Sequence, residues 1–232
     1  MYFDLETRKE CYEANKILFY FVKAILILMT ILVFILLAYL LGSISFAVIT
    51  SWIFKLPDPR TYGSKNPGAT NVLRSGKKTA AILTLLGDAG KGWLAVWLTQ
   101  HYAPLWGMGA ETVAAVALAV FIGHVFPVFL HFQGGKGVAT AVGVLFGLNV
   151  WVGLLSIFTW LSVAMIWRIS SLSALVAAGL APIYSLILFG LDVNTLAVLL
   201  MSFILIWRHQ ANIINLIAGK EGRIGEKNSA AP

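Results

Sequence analysis

One polar stretch, residues 63–74, combines the residue types that bind an anion. It reads GSKNPGATNVLR and lies between two long apolar runs. Its glycines permit backbone angles that side chains forbid, so such a loop can turn several N–H groups towards one ligand, as phosphate-binding loops do. Lys65 and Arg74 add positive charge. Four further residues offer short hydroxyl or amide groups: Ser64, Asn66, Thr70 and Asn71. An ordinary loop at a membrane surface is the alternative interpretation.

A second loop of similar character follows the third apolar run. Residues 133–137 read QGGKG, so three glycines surround the cation of Lys136. The GxxxxGK[ST] spacing of a P-loop is absent, and the sequence therefore does not predict that kind of nucleotide site. A second glycine-rich basic loop on the same side of a bilayer would favour phosphate binding over the ordinary-loop interpretation.

The rest of the chain is unusually apolar. Hydrophobic residues make up 59% of the sequence and charged residues only 12%, whereas about a quarter of a soluble domain is charged. Several runs approach or exceed the roughly 20 apolar residues that cross a bilayer, and they lack the alternation of barrel strands. The sequence therefore predicts an all-α fold, a polytopic transmembrane helix bundle. About seven membrane segments are expected: 29–54, 80–100, 112–132, 138–149, 151–167, 175–191 and 196–207.

Two of these segments contain residues with a predicted packing or pairing role. Gly42, Ser43 and Ser45 would be small packing sites for a neighbouring helix. Asp88 and Lys91 are three residues apart, so they share a helix face and can pair. Charges inside a membrane favour a functional hypothesis, and a pair that only orients helices is the alternative. His124, by contrast, is interpreted as a packing group at a helix end.

Positive charge is unevenly distributed between the two sides of this predicted bundle. Alternating the segments places the loop 55–78, QGGKG, the turn 168–173 and the C-terminal tail on one side. These regions are rich in Lys and Arg, whereas the opposite turns contain neither. The positive-inside rule places them, the active site and the C-terminus in the cytoplasm. The net charge of +7 is explained in this way, and no nucleic-acid partner is expected.

The N-terminal residues do not fit this orientation, because their lysines and arginine would fall outside. We expect residues 1–28 to be an extension, either upstream of a natural start at Met29 or forming an interfacial helix. Residues 29–215 would then be the membrane-embedded domain and residues 216–232 a basic cytoplasmic tail.

The predicted cytoplasmic face has cations and backbone donors but few acids. Such groups suit a phosphate on one substrate and a developing oxyanion on another. Asp58 is the only acid in the first loop, which argues against Mg²⁺-dependent phosphoryl transfer and against a two-carboxylate hydrolase. None of the four histidines precedes an Asp by five residues, which excludes the acyltransferase class with that motif. No metal or other cofactor is expected.

Five segments, in order, carry a resemblance to a known family: GSISFAVI, LPDPRTYGSKNPGATNVLRSGKK, DAGKG, GHVFPVFLHFQGGKGVATAVG and RHxxNI. Over residues 31–215 the chain resembles the bacterial membrane glycerol-3-phosphate acyltransferase that uses acyl-phosphate. The resemblance implies an inner-membrane enzyme, acting alone or near the enzyme that forms acyl-phosphate. It would transfer a fatty acyl group from acyl-phosphate to the 1-hydroxyl of sn-glycerol 3-phosphate, giving lysophosphatidic acid and phosphate. Membrane lipid is the other implied partner.

The same resemblance implies a set of site residues. The catalytic residues would be Ser64, Asn66 and His209. The substrate-binding residues would be Gly63, Thr70, Asn71, Arg74, Gly134, Gly135, Lys136, Gly137, Ser171 and Asn212. Charge suggests Arg74, Lys136 and the glycine amides for the two phosphates. Lys65 stands where the motif commonly has glycine, and it would either attract phosphate or point to water.

A transporter or channel for a phosphorylated solute is the competing function. It too would use cationic loops and an intramembrane ion pair. The polar residues, however, cluster at one face instead of the midplane, and no paired repeat is visible. A non-catalytic scaffold would leave the small polar residues beside the glycines unexplained.

Overall fold

The computed structural model describes residues 5–225, and within that range the chain is all-helical. Ten α-helices are present there: α1 Leu5–Ser43, α2 Phe46–Ile53, α3 Ala69–Leu73, α4 Lys78–Tyr102, α5 Ala110–Val125, α6 Val138–Leu148, α7 Val150–Trp167, α8 Ser170–Phe189, α9 Val193–Arg208 and α10 Gln210–Ile217. Short 3-10 helices lie at Ala103–Trp106 and Val128–Leu130. The ends of the predicted extension and tail, residues 1–4 and 226–232, lie outside the described residues.

Among the described residues, five helical stretches are long and apolar enough to cross a membrane. They are α1, α7 and α8, and also α4 and α5, these two each with the 3-10 helix that follows it. The pair α9 and α10 would add a sixth span, bent by 59° at its break, and α6 is a shorter apolar helix. The predicted polytopic helix bundle is confirmed, while a count of seven membrane segments stays a prediction.

Two predicted boundaries are wrong. Residues 29–54 are not one helix, because α1 ends at Ser43 and α2 begins at Phe46, with Ser45 accepting a hydrogen bond from the Val48 amide at 3.4 Å. The predicted turn 168–173 is also shorter. Arg168 adopts a left-handed conformation with φ 57°, and α8 begins at Ser170, so most of that turn is helical.

Helix α1 runs through residue 28 without a break. Its 39 residues give a length of about 58 Å at 1.5 Å per residue, well beyond the roughly 30 Å hydrocarbon core of a bilayer. The structure therefore shows no element boundary at Met29, and the division of the chain at that residue stays a prediction.

Glycines bring helix backbones into direct contact at two crossings. A Cβ on Gly42 of α1 would lie 2.1 Å from the Val120 carbonyl oxygen of α5. A Cβ on Gly143 of α6 would lie 1.8 Å from the Ala89 carbonyl oxygen of α4. In lipid the hydrophobic effect does not drive helices together, so close van der Waals packing of this kind stabilises their association. The predicted packing role of Gly42 is confirmed.

The predicted pair of Asp88 and Lys91 forms inside the bundle. Lys91 Nζ lies 3.0 Å from Asp88 Oδ1, and both side chains are almost completely buried. The same ammonium donates to the carbonyl oxygens of Gly42 and Ile44, at 2.7 and 2.6 Å. Carbonyls at a helix end lack intrahelical partners, so Lys91 satisfies the end of α1 while it neutralises Asp88.

Replacing Lys91 tests this arrangement. Lys91→Met should lower the free energy of unfolding by about 3 kcal/mol or more, because it removes the ammonium from a buried carboxylate and leaves two carbonyls without donors. Thermal unfolding in detergent measures the change. The double variant Asp88→Asn/Lys91→Met is the control and should regain part of the loss. A single variant as stable as the wild type would contradict the role assigned to Lys91.

Candidate active site

An open cavity of about 860 Å³ lies at one end of the bundle. All four regions that the sequence places on one side contribute to its lining: the first loop, the second loop, the start of α8, and the C-terminal part from His209. All nine predicted site residues other than the glycines line it: Ser64, Asn66, Thr70, Asn71, Arg74, Lys136, Ser171, His209 and Asn212. Lys65 is exposed and is not part of the lining.

The first loop is shaped by the buried side chain of Asn71. Its amide nitrogen donates to the carbonyls of Pro59 and Tyr62, at 2.7 and 3.2 Å, and its amide oxygen accepts from the Ser64 N–H at 3.0 Å. Gly63 has φ 57°, and a Cβ there would lie 2.3 Å from the Asn71 oxygen. Both N–H donors of this amide are thus used inside the loop. A substrate contact of Asn71 stays a prediction.

Asp58, the one acid of the first loop, is paired within the loop. Its Oδ2 lies 2.6 Å from Arg60 Nη2, and the hydrogen bonds from Arg60 lower the pKa of Asp58 below its usual value. Across the part of the chain that the structure describes, no three His, Cys, Asp or Glu side chains are grouped as metal ligands.

The second loop packs tightly on the end of α5. A Cβ on Gly134 would lie 2.2 Å from the His124 carbonyl oxygen, and a Cβ on Gly135 would lie 2.2 Å from His124 Nε2. Gly137 has φ 90°, and a Cβ there would lie 2.3 Å from the ring of Phe121. A side chain at any of these three positions would displace the loop, so only glycine fits there.

Lys136 belongs to a polar network that reaches the C-terminal segment. Its ammonium donates to Asn212 Oδ1. Asn212 and Ser171 both donate to Glu221 Oε1, at 2.6 and 2.7 Å. Burial lowers the pKa of Lys136, the neighbouring cations Arg74 and Arg208 lower it further, and Glu221 raises it. The network thus holds a partly desolvated amine between an acid and two guanidinium groups.

His209 occupies the break between α9 and α10 and is only 2% exposed. Its Nδ1 lies 2.8 Å from the Leu205 carbonyl oxygen. Since a carbonyl only accepts, Nδ1 carries the hydrogen, and a neutral ring keeps its lone pair on Nε2. Nearby, the Thr70 and Ser170 hydroxyl oxygens lie 3.3 Å apart and link the first loop to α8.

Sequence reasoning missed three residues that line the cavity. The sequence predicts Glu221 only as part of a basic tail and His124 only as a packing group. His124 is 7% exposed, and its Nδ1 lies 3.5 Å from Asp88 Oδ1. For Asp88 the sequence predicts the pair with Lys91 but no place at the site. No local motif marks Glu221 or His124, because their partners are distant in sequence.

Two glycines of the first loop provide a matched test of its geometry. Gly63 and Gly76 both have positive φ, but a Cβ on Gly76 would meet nothing within 4 Å. Both alanine variants carry the strain of a left-handed alanine, whereas only Gly63→Ala displaces Asn71. Trypsin should therefore cleave the loop faster in Gly63→Ala than in Gly76→Ala. Equal cleavage rates would contradict the organising role of Asn71.

Comparisons with known proteins agree with this fold. Residues 32–219 match the family model described as glycerol-3-phosphate acyltransferase. A relative of that name from Nitrosospira multiformis is 64% identical over 202 residues, which cover 87% of this chain and 100% of the relative. Another from Nitrosomonas eutropha is 62% identical, over 82% of this chain and 96% of the relative.

Solved structures extend the comparison to three dimensions. The chain is similar to the crystal structure of PlsY (YgiH), an integral membrane glycerol 3-phosphate acyltransferase, in its glycerol 3-phosphate form. The TM-score is 0.78 at 34% identity, covering 84% of this chain and 96% of that one. The lysophosphatidic acid form of that protein gives a TM-score of 0.77 at 33% identity. The resemblance stated from the sequence is confirmed, and this chain belongs to the family of integral-membrane glycerol-3-phosphate acyltransferases.

Proposed function

We propose that this protein transfers a fatty acyl group from acyl-phosphate to the 1-hydroxyl of sn-glycerol 3-phosphate, the first acylation step of phospholipid synthesis. The products are lysophosphatidic acid and inorganic phosphate. Membership of an acyltransferase family favours an enzyme over the transporter and the scaffold. The observation that carries the proposal is the single cavity in which both glycine-rich loops meet the cations Arg74 and Lys136.

The cations suit a reaction in which both substrates carry phosphate. Arg74, Lys136 and the amides of the glycine-rich loops would hold the two phosphate groups. A bound phosphate favours the charged form of a neighbouring lysine, and it thereby opposes the lowering of the Lys136 pKa by burial. Binding of a substrate phosphate and the pKa of Lys136 are therefore linked.

The transfer itself needs one bond made and one broken. The 1-hydroxyl oxygen attacks the acyl carbon, and the bond from that carbon to the phosphate oxygen breaks. His209 Nε2 is free to accept the hydroxyl proton, and a substrate phosphate is the alternative acceptor. Ser64 and Asn66 would stabilise the oxyanion that develops on the acyl oxygen. Phosphate leaves readily, so the site requires little acid catalysis.

The same cavity has an apolar wall that suits a fatty acyl chain. Helices α4, α6 and α7 contribute Leu85, Leu86, Val142, Ile157, Trp160 and Leu161 to its lining. A site with cations at one end and aliphatic side chains at the other matches the two ends of an acyl-phosphate and of lysophosphatidic acid. The apolar wall therefore favours a site that binds a lipid substrate, and not only a small soluble phosphate ester.

We further propose that the protein lies in the inner membrane with this cavity and its C-terminus on the cytoplasmic side. The support is the distribution of Lys and Arg, which favour the cytoplasmic loops of membrane proteins. The first loop, which supplies much of the cavity lining, contains many of these basic residues.

Phosphate release tests the donor. Purified protein in lipid, given palmitoyl-phosphate, should release phosphate only when glycerol 3-phosphate is added, with lysophosphatidic acid formed in equal amount. Palmitoyl-coenzyme A in place of palmitoyl-phosphate is the control and should give no product. Product formed from the thioester alone would overturn the proposed donor while it preserved the acyltransferase assignment.

Two lysines allow a matched test of phosphate binding. Lys136→Ala should lower kcat/KM by at least about tenfold, or 1.4 kcal/mol, because it removes a cation from the phosphate site. Lys65→Ala removes the same charge from outside the cavity lining and should retain activity close to that of the wild type. A fully active Lys136→Ala variant would refute the assignment of Lys136 to phosphate.

A further inference from the structure

The proposed transfer reaction uses neither Asp88 nor His124, although both line the cavity. Asp88 Oδ1 lies between two basic groups, 3.0 Å from Lys91 Nζ and 3.5 Å from His124 Nδ1. Lys91 is itself fixed, because its ammonium also donates to two carbonyls at the end of α1. The carboxylate facing His124 is therefore anchored to the backbone of another helix.

The opposite edge of the His124 ring supports the second glycine loop. A Cβ on Gly135 would lie 2.2 Å from His124 Nε2 and 3.0 Å from its Cε1. The backbone oxygen of His124 also accepts a hydrogen bond from the Gly135 N–H, at 3.1 Å. One residue thus holds Gly135 through both its ring and its peptide group, and Gly135 directly precedes Lys136.

We infer that His124 is a positioning residue for substrate phosphate, because its ring seats Gly135 and so sets Lys136 beside Asn212. The inference rests on the proposed function insofar as Lys136 binds phosphate. Asp88 Oδ1 lies 3.5 Å from Nδ1 on one side of the ring, and the loop packs on the other. A residue that served only core packing would affect stability and leave the affinity for substrate unchanged.

The close fit of ring and glycine allows a double-variant test. Gly135→Ala places a methyl group where the His124 ring lies, and His124→Ala removes the ring. Each single variant should raise the KM for glycerol 3-phosphate by at least about fivefold, with a smaller change in kcat. The double variant should be no worse than the worse single variant, because the methyl group then occupies the space left by the ring.

Gly134 supplies the matched control. A Cβ there would lie 2.2 Å from the His124 carbonyl oxygen and 2.5 Å from that of Val125. These backbone atoms remain when the His124 side chain is truncated. The effects of Gly134→Ala and His124→Ala should therefore multiply, in contrast to the pair at Gly135.

A second readout separates this inference from the proposed reaction. The dissociation constant for glycerol 3-phosphate is measured by calorimetry without any acyl donor. It should show the same pattern as KM: effects that do not multiply for His124 and Gly135, and effects that multiply for His124 and Gly134. The midpoint of thermal unfolding should show this pattern too. If the wild type bound glycerol 3-phosphate but transferred no acyl group from acyl-phosphate, the donor would be wrong and the binding cycle would still test His124.

The inference is overturned by either of two results. One is a His124→Ala variant that unfolds at lower temperature while its KM and dissociation constant stay at wild-type values. The other is that the effects of His124→Ala and Gly135→Ala multiply in the double variant, as those of His124→Ala and Gly134→Ala do. If truncation to alanine prevents folding, His124→Asn replaces it. The asparagine amide can donate to Asp88, but the side chain has no ring edge at Gly135. This variant should therefore give the same result as His124→Ala when combined with Gly135→Ala.

Discussion

The buried ammonium of Lys91 is the contact on which the arrangement of the site depends. It neutralises Asp88 of its own helix and donates to the carbonyls of Gly42 and Ile44, where α1 ends. A charge in the interior of a membrane protein must be paired or solvated by backbone groups. Because Lys91 donates to the carbonyls at the end of α1, the chain can break there and restart as α2, which leads directly into the first loop. Asp88 in turn faces His124, against which the second loop packs.

Helix ends and the loops between helices supply most of the polar groups that line the cavity. The first loop follows α2, the second loop links α5 to the short helix α6, and His209 lies at the break between α9 and α10. Backbone groups at such ends are free to bind a ligand, and side chains there can leave the apolar environment. Close contacts at Gly42 and Gly143 hold the helices that carry these ends. The bundle thus gathers polar groups at one end and leaves an apolar wall beside them.

The sequence predicts what depends on short-range pattern. Apolar runs of sufficient length predict the long helices, and the three-residue spacing predicts the pair of Asp88 and Lys91. The break after Ser43 could not be predicted, because the group that satisfies the freed carbonyls belongs to α4. The sequence also could not predict that Asn71 shapes the first loop, since its hydrogen-bond partners are backbone groups of the loop. Glu221 meets Ser171 across 50 positions, a separation at which no local motif gives a signal.

In the proposed reaction, two glycine-rich loops and the start of the C-terminal segment form one site for both phosphates. The most direct measurement is a structure in lipid with glycerol 3-phosphate and a non-transferable acyl-phosphonate bound together. We expect both phosphorus groups in the one cavity, within hydrogen-bond distance of Lys136 and Arg74, and the 1-hydroxyl facing the acyl carbon. Phosphorus groups bound in separate places, or a Lys136 ammonium turned away from both, would contradict it.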